Sequence, residues 1–347
     1  MCPADLCRVC RQAPCTERAA AGAQECLFLK RDHDRVICLK EQAGRRQYRM
    51  TKQEFARLTS SGIVYLDGAT GSNLFKAGMP RGMSTEAWVL EHPGVLEDLQ
   101  RAYIEAGSQI IYAPTFGANR HVLAGFGLDG NVEDMNKRLV DISRRAAEGK
   151  ARIAGDIAPT GMLLESIGGD YTDDQMFDVY TEQISCLADA GVDLLVCETM
   201  MSVEEVCIAL DAAHAAAADL PVMCTLTVTA DGRAFYGGTA TEAAETLTEM
   251  GADAVGINCC AGPDQLESIV RGIAKVTDLP VIAKPNAGMP VIDKAGNAAY
   301  NMGPAEFAKH MKVLVDAGAS IVGGCCGTTP EYIRRLRILL DTGAVLL

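Results

Sequence analysis

The segment DAGASIV, residues 316–322, contains the pattern that decides the fold. The same pattern recurs as EAGSQII (105–111), DAGVDLL (189–195) and EMGADAV (249–255). In each segment a glycine follows a helix-patterned stretch and precedes an apolar run. A left-handed glycine that ends a helix before a buried strand has this signature. The repeated pattern therefore predicts helices that alternate with buried strands.

Eight apolar, β-rich runs are predicted to be strands, and helix-length segments lie between them. They cover residues 63–71, 108–116, 152–161, 193–200, 221–229, 253–260, 279–288 and 319–327. Apolar strands that alternate with helices indicate a parallel sheet, and eight such units in about 290 residues predict an α/β fold of the (β/α)8 TIM barrel type. The alternative is a doubly wound open sheet, but DGATGS (67–72) lacks the GxGxxG spacing that this fold would favour.

Composition excludes several classes of partner. The chain has 347 residues and a formal net charge of −13, which repels nucleic acid and anionic membrane surfaces. No apolar run reaches the roughly 18 residues of a membrane span, and no secretory signal is visible. Fourteen cysteines in such a chain indicate reduced thiols. We therefore expect a cytoplasmic protein with neither a nucleic-acid nor a membrane partner.

The chain is predicted to consist of a leader, residues 1–49, and one barrel domain, residues 50–347. Six of the fourteen cysteines lie in the leader. Cys7 and Cys10 have the CxxC spacing of a zinc knuckle, but a matching second pair is missing. The preferred interpretation is a flexible extension or an upstream stretch included by a wrong start site, because MTKQEFARL (50–58) resembles a natural beginning.

Barrel enzymes carry their active sites at the carboxyl-terminal ends of the strands. Residues with unusual chemistry lie at these ends of the predicted strands, far apart in sequence: Asp67, Thr115, Glu198, Cys259, Asn286, Cys325 and Cys326. A barrel would bring them together at one mouth.

Cys325 and Cys326 are adjacent and flanked by Gly323, Gly324 and Gly327. Neighbouring strand residues point to opposite faces, so two such thiols can face one ion only where glycines let the backbone leave the strand. With one thiolate from the sixth strand they form a three-thiolate set, and three protein ligands plus an open position are typical of catalytic zinc. A redox dithiol is the alternative. Four other thiols are interpreted as buried apolar side chains: Cys186, Cys197, Cys207 and Cys224.

Motifs in nearly every barrel unit resemble the zinc-dependent homocysteine S-methyltransferase family. They are LDGATGS (66–72), PTFGANR (114–120), DIAPTG (156–161), CETM (197–200), GINC (256–259), KPNAGMP (284–290) and GGCCGTTP (323–330). The resemblance covers about residues 60 to 345 and is strongest to the homocysteine-binding module of cobalamin-dependent methionine synthase. It implies a zinc-bearing TIM barrel that methylates homocysteine to methionine.

The resemblance also implies roles for individual residues. Cys259, Cys325 and Cys326 would be the zinc ligands, and Cys260 a non-ligand. Asp67, Gly68 and Glu198 resemble the residues that hold the amino acid portion of homocysteine, although Asp67 can also be a turn former and Glu198 part of an ion pair. Thr115 and Asn286 are carried over as further substrate-binding residues. The amide oxygen of Asn286 is also a metal ligand candidate when substrate is absent.

The expected reaction is attack by the homocysteine thiolate, held as the fourth zinc ligand, on an electrophilic methyl group. Betaine as donor would need an aromatic cage, and Trp88 is the one tryptophan. The sequence ends at Leu347, soon after its last motif, and we expect no corrinoid module in this chain. The expected donor is therefore methylcobalamin on a separate corrinoid protein that a folate methyltransferase serves. S-methylmethionine and betaine are the alternatives.

Two further hypotheses belong to other functional classes. Lys284, at the end of the seventh predicted strand, could form a Schiff base in an aldolase-like barrel. The interpretation that we prefer pairs this lysine with a carboxylate at the barrel rim. A non-catalytic zinc-binding protein is the second hypothesis, and the carboxylates expected at the barrel mouth argue against it.

Overall fold

The computed structural model describes residues 49–292 and 298–343. Its main sheet has eight parallel strands in the order β1-β10-β7-β6-β5-β4-β3-β2. The two end strands meet through a parallel bridge between Leu66 and Ile110, so the sheet closes on itself. The prediction of a TIM barrel is confirmed. The strands are β1 Val64–Tyr65, β2 Ile110–Tyr112, β3 Arg152–Ile157, β4 Leu194–Met200, β5 Val222–Leu226, β6 Ala254–Asn258, β7 Val281–Lys284 and β10 Ala319–Val322.

A separate antiparallel pair, β8 (Pro290–Ile292) and β9 (Ala298–Tyr300), follows β7. Helices connect the barrel strands. The described helices are α1 Lys52–Ser60, α2 Gly71–Lys76, α3 Thr85–Glu91, α4 Pro93–Ala106, α5 Arg120–Ala124, α6 Val132–Ala147, α7 Asp173–Ala190, α8 Val203–Ala217, α9 Ala240–Glu249, α10 Glu267–Ile273, α11 Pro304–Asp316 and α12 Pro330–Thr342.

The four repeated glycines adopt the predicted conformation. Gly107, Gly191, Gly251 and Gly318 have φ between +84° and +123°, each just after a helix and before a strand. The strands themselves are shorter than predicted. The last one ends at Val322, although the amide groups of Gly323 and Gly324 still bond to the carbonyls of Ala283 and Asp67. The residues that follow the strand ends form the barrel mouth.

Helix α1 covers the barrel interior at the amino-terminal end of the strands. Met50 and Phe55 belong to one apolar cluster with residues near the starts of several strands, among them Val64 and Ile110. Lys52 pairs with Asp253, which directly precedes β6. The capping box formed by Thr51 and Glu54 begins the helix. The opposite end of the barrel is left open for the site.

The predicted leader, residues 1–49, lies outside the described residues except for Arg49. In the described ranges, no helix combines the length and the apolar character that crossing a membrane requires.

Candidate active site

Three cysteine side chains meet at the carboxyl-terminal end of the barrel. Cys259 directly follows β6, while Cys325 and Cys326 follow the end of β10. Their sulfur atoms all lie within 4.8 Å of one another, and the sulfurs of Cys259 and Cys326 are 3.6 Å apart. The structure thus brings together the three thiols that the sequence singles out.

Unusual backbone conformations in two segments bring the three sulfur atoms together. Cys259 itself has a φ of +51°, which is uncommon for a residue other than glycine. At the other segment Gly327 has a φ of +85°, and a Cβ there would overlap the ring of Tyr300. Gly324 is needed for close packing, because a Cβ on it would lie 2.6 Å from the hydroxyl oxygen of Thr328. The left-handed backbone at Cys259 was not predicted from the sequence.

The three sulfurs fit a metal ion. Zinc–sulfur bonds of about 2.3 Å in a tetrahedron place the sulfurs about 3.8 Å apart, close to the spacing seen here. Hydrogen bonds from Cys259 and Cys325 lower the pKa of Cys326 to about 3, which favours the thiolate form of this sulfur. The pKa of Cys259 is raised, because its hydrogen atom is held by Cys325 and Cys326. Such a cluster already stabilises one negative charge. A bound cation of suitable size would stabilise negative charge on the other sulfur atoms as well.

Cys260 points away from this cluster. Its thiol donates to the carbonyl of Asn258 at 3.0 Å and accepts from the amide of Val228 at 3.4 Å. The side chain is buried among apolar residues. Cys260 therefore packs as a small core side chain, and its assignment as a non-ligand stays a prediction.

A cavity of about 240 Å³ opens beside the three thiols. This volume lies below the usual range for drug-sized ligands and suits a small substrate. Six of the eight predicted site residues line it: Asp67, Gly68, Glu198, Cys259, Cys325 and Cys326. The cavity is also lined by Tyr112, Asp156 and Lys284, which are not among the predicted substrate-binding residues.

Lys284 is the centre of a buried charged cluster. Its ammonium nitrogen lies 3.1 Å from a carboxylate oxygen of Glu198 and 3.6 Å from one of Asp67. It also lies 4.6 Å from the centroid of the Tyr112 ring, within cation–π distance. Burial alone would lower the pKa of Lys284, but Glu198 and Asp67 raise it well above its usual value. A lysine that stays protonated is a poor Schiff-base nucleophile, and this geometry is the ion pair that we preferred.

Burial raises the pKa values of the surrounding carboxylates. Asp67 has a pKa of about 7, although Lys284 and the amide of Tyr112 oppose the increase. Burial also raises the pKa of Glu198, and it raises that of Asp156 well above its usual range with a further contribution from Glu198. Perturbed carboxylates that line one cavity are typical of a functional site. For Asp156, the signal in the sequence is a charged residue at the end of a barrel strand.

Gly68 lines the cavity under a tight steric constraint. A Cβ on this residue would lie 2.6 Å from the phenol oxygen of Tyr103 and 2.7 Å from the hydroxyl of Thr328. The glycine therefore lets the loop after β1 pack closely against both side chains.

The structure places Thr115 and Asn286 outside the cavity lining. Thr115 is fully buried, and its hydroxyl both donates to the carbonyl of Asp156 and accepts from the amide of Asp156. Asn286 donates to the carbonyl of Cys260, while its amide oxygen has no hydrogen-bond partner among the described residues. Thr115 thus supports the Asp156 segment, and Asn286 keeps a free acceptor beside the thiol segment.

Asn258 and Tyr300 also support the site. The amide side chain of Asn258 accepts from the backbone N–H of Thr199 and donates to the Thr199 hydroxyl, which fixes the residue after Glu198 in its left-handed conformation. The ring of Tyr300, on β9, packs over Gly327, and its hydroxyl lowers the pKa of Cys326 in addition to the larger effects of Cys259 and Cys325. Tyr300 could not be found by motif reasoning, because it lies in a short hairpin between two barrel strands.

Comparison with protein families gives a match to the homocysteine S-methyltransferase family over residues 64–340. Among curated proteins, the methionine synthase of Mycobacterium leprae is 32% identical over 292 residues, and that of Mycobacterium tuberculosis is 30% identical over 295 residues. These alignments cover 79% and 80% of this chain. The chain spans about a quarter of the length of both relatives, 24% in each case.

Among solved structures, the metallated form of the homocysteine methyltransferase MmuM from Escherichia coli superimposes with a TM-score of 0.69 at 24% identity. The match covers 81% of this chain and 98% of that one. The oxidised form of the same protein gives a TM-score of 0.67, also at 24% identity, over 79% of this chain and 95% of that one. At this level of identity the likeness supports the barrel fold alone.

Proposed function

Because the chain belongs to the homocysteine S-methyltransferase family, we propose that it transfers a methyl group to the thiol of homocysteine, which yields methionine. The observation that carries the proposal is the set of three sulfurs, within 4.8 Å of one another, beside a small cavity with buried carboxylates. The sulfurs match a metal that activates a thiol, and the carboxylates match an amino acid ammonium group.

In this proposal Cys259, Cys325 and Cys326 hold zinc. When bound, the zinc would lower the pKa of a substrate thiol so that its sulfur is a nucleophile at neutral pH. The carboxylate cluster around Lys284 orients the amino acid end of homocysteine. Gly68 lets the loop after β1 pack closely against Tyr103 and Thr328 at the edge of the cavity. Asn286 offers an amide oxygen beside the metal site.

The chemical balance of the transfer is simple. The substrate thiol gives up its proton to solvent, and a bond forms between its sulfur and the methyl carbon. The bond between that carbon and the donor breaks at the same time, and the donor keeps the electron pair. The cavity holds the homocysteine sulfur in line with the methyl donor. This orientation lowers the activation barrier of the methyl transfer.

For the donor, we propose methylcobalamin carried by a separate corrinoid protein that a folate methyltransferase serves. The similarity to methionine synthases supports this choice. Betaine is less well supported, because the aromatic residues that line the cavity in the described chain are Tyr112 and Phe116. Tyr112 already lies against Lys284, and Trp88 stacks on His92. S-methylmethionine remains the second candidate, since a small sulfonium needs no large cage.

A donor panel tests the proposed function. Zinc-loaded protein receives homocysteine with methylcobalamin, S-methylmethionine, S-adenosylmethionine or betaine, and methionine is measured by mass spectrometry. We expect methionine with methylcobalamin. Zinc binding without methionine from any donor would favour the non-catalytic zinc-binding hypothesis, and borohydride trapping of a carbonyl compound on Lys284 would favour the aldolase.

The metal assignment has its own prediction. Cys325→Ala should abolish stoichiometric zinc binding and methionine formation, because two thiolates cannot complete the ligand set. Zinc content is measured by atomic absorption and folding by circular dichroism. Cys207→Ala is the matched control, since this half-buried thiol lies on α8 and should leave zinc content unchanged. Full zinc occupancy in the Cys325 variant would refute the ligand set.

A further inference from the structure

A second cavity lies beside the thiol site at the carboxyl-terminal end of the barrel. Its volume is about 270 Å³, and Phe116 and Thr199 line both cavities. Segments that follow β2, β3, β4 and β5 form its walls, whereas none of the three clustered thiols lines it. This volume lies just below the usual range for drug-sized ligands and suits a small molecule. The function proposed above leaves this cavity without a ligand.

Most of the lining of this second cavity is apolar. Met162, Met176 and Met201 contribute thioether side chains, which adapt to ligands of different shape. Large apolar side chains around one cavity that are 40% to 48% exposed are typical of a binding surface. Four lining residues have such side chains: Phe116, Leu163, Ile167 and Tyr236.

Glu205, on α8, is the single charged residue among the described residues that line this cavity. It is 6% exposed, and its Oε1 accepts from the amide and the hydroxyl of Thr160 and from the hydroxyl of Tyr180, at 2.8 to 3.0 Å. Burial raises the pKa of Tyr180 well above its usual value, and Glu205 raises it further, so the phenol keeps its proton. All three donors are therefore neutral, and no lining residue balances the negative charge of Glu205.

The second carboxylate oxygen of Glu205 is open to a ligand. Oε2 accepts no hydrogen bond from the described residues, because all three bonds go to Oε1. It is also not one of the fully enclosed side-chain oxygens that lack a partner there, so it is accessible. Since Glu205 lines the cavity, the open side of this oxygen faces the cavity. A carboxylate in apolar surroundings gains most from a partner that is both cationic and a hydrogen-bond donor.

We propose that this second cavity binds a small primary alkylammonium ion. The ammonium group donates to Oε2 of Glu205, and the alkyl chain packs against the apolar lining, which includes Met162 and Leu164. A quaternary ammonium ion has no N–H donor for this oxygen, and an anion is repelled by Glu205. The site is separate from methyl transfer, although the wall shared through Phe116 and Thr199 places its ligand next to the reaction cavity.

Methionine methyl groups report on this cavity directly. Protein labelled with ¹³C at its methionine methyl groups is titrated with n-butylammonium, n-butanol, butanoate or butyltrimethylammonium, and the NMR shifts are followed. The signals of Met162, Met176 and Met201 are assigned by replacing each residue with leucine. Met50 is the internal reference, because it lies in the apolar cluster at the opposite end of the barrel.

Two variants separate the charge of the site from its shape. Glu205→Gln keeps an oxygen for Thr160 and Tyr180 but replaces the open oxygen by an amide nitrogen. Ile167→Trp adds bulk to an exposed lining side chain and leaves the carboxylate unchanged. Glu249→Gln is the matched control, since Glu249 is exposed on α9 and does not line the cavity. Circular dichroism checks the folding of every variant.

We expect n-butylammonium to shift the three cavity methionines. The alcohol and the quaternary ion should bind at least about 10-fold more weakly, as for the loss of a hydrogen bond to a charged group, and butanoate should not bind. Glu205→Gln should weaken n-butylammonium binding by a similar factor, Ile167→Trp should abolish it, and Glu249→Gln should leave it unchanged.

Three results would overturn the inference. They are equal affinities for n-butylammonium and n-butanol, wild-type binding by Glu205→Gln, and no shift at the three methionines. If Glu205→Gln does not fold, the ligand panel on the wild type and the Ile167→Trp variant still decide. Because no methyl transfer is measured, these results are independent of the donor panel that tests the proposed function.

Discussion

At the scale of single residues, Lys284 decides the electrostatics of the site. It is buried within reach of two carboxylates and one aromatic ring. Its sequence position, in KPNAGMP, indicated only that a lysine lies at the end of a strand. The partners Asp67 and Glu198 are far away along the chain, so their identity could not be read from local sequence. The lysine neutralises part of a cluster that would otherwise be too negative to bury.

Lys284→Met should destabilise the protein strongly. The substitution keeps the volume of the stem but leaves Asp67, Glu198 and Asp156 without a cation, and breaking a buried pair costs about 3 to 5 kcal/mol. Urea unfolding measures this loss. Lys52→Met is the control, because the Lys52–Asp253 pair is more exposed and should change the free energy of unfolding by under about 1 kcal/mol. Equal effects of the two substitutions would mean that the buried cluster does not need its lysine.

At the scale of secondary-structure elements, two segments outside the eight barrel units support the barrel. The hairpin β8–β9 lays the ring of Tyr300 over Gly327, the residue after Cys326. At the other end, α1 packs Phe55 into the interior cluster. Neither contact follows from strand–helix alternation, because both depend on where short segments fold back.

Tyr300→Phe should weaken zinc binding while the fold is retained. The Tyr300 hydroxyl contributes, after Cys259 and Cys325, to the lowered pKa of Cys326, and loss of a group that supports a metal ligand typically lowers metal affinity by about 10- to 100-fold. Competition with a chromophoric chelator measures the affinity. Tyr332→Phe is the matched control, because its hydroxyl donates to the carbonyl of Met302 and not to a thiol. Unchanged zinc affinity in the Tyr300 variant would remove this residue from the metal site.

Phe55→Ala should reduce the free energy of unfolding by about 3 to 5 kcal/mol, because it leaves a large cavity under the barrel. Phe55 is 1% exposed, whereas Phe75 is 50% exposed. Phe75→Ala should therefore change stability by no more than about 0.5 kcal/mol. Thermal and urea unfolding test both variants, and zinc content should be the same as in the wild type. A Phe55 variant as stable as the Phe75 variant would show that α1 is not part of the barrel core.

At the scale of the whole molecule, closure of the barrel collects charge at one end. Strands β1, β3, β4 and β7 each end at, or within two residues of, one member of the buried charged cluster. The members of this cluster are Asp67, Asp156, Glu198 and Lys284. The β6 and β10 ends supply the thiols in the same way. The fold thus buries several carboxylates and thiols close together, which disfavours their charged forms. A cationic substrate and a metal ion bound there would stabilise these charged forms.

The burial of these carboxylates predicts that the free energy of unfolding depends on pH. Burial raises the pKa of Asp67 to about 7, so the folded protein holds a proton that the unfolded chain releases near pH 4. The contribution of Asp67 to stability is therefore present below about pH 4 and is lost as pH rises to about 7. Relative to Asp67→Asn, metal-free wild type should lose up to about 4 kcal/mol over this range, at about 1.4 kcal/mol for each unit between the two pKa values.

Urea unfolding of both metal-free proteins between pH 4 and 8 measures that difference, and the comparison removes contributions common to both. Asp264→Asn provides an exposed control on the loop after β6, and its stability should follow the wild type at every pH. A constant difference between wild type and Asp67→Asn across the range would show that Asp67 titrates normally.

The sequence by itself determined the barrel, because each glycine-ended helix and each apolar run is a local pattern with a local physical cause. Gly107, Gly191, Gly251 and Gly318 adopt the left-handed conformation that this pattern requires. The three clustered cysteines were also foreseen, since motifs at the ends of two strands pointed to one mouth. Only the tertiary structure decided which carboxylates surround Lys284, that Oδ1 of Asp156 has no hydrogen-bond partner among the described residues, and that the Tyr300 ring packs over Gly327. Those contacts join segments distant in sequence, and their geometry depends on how the closed barrel packs its loops.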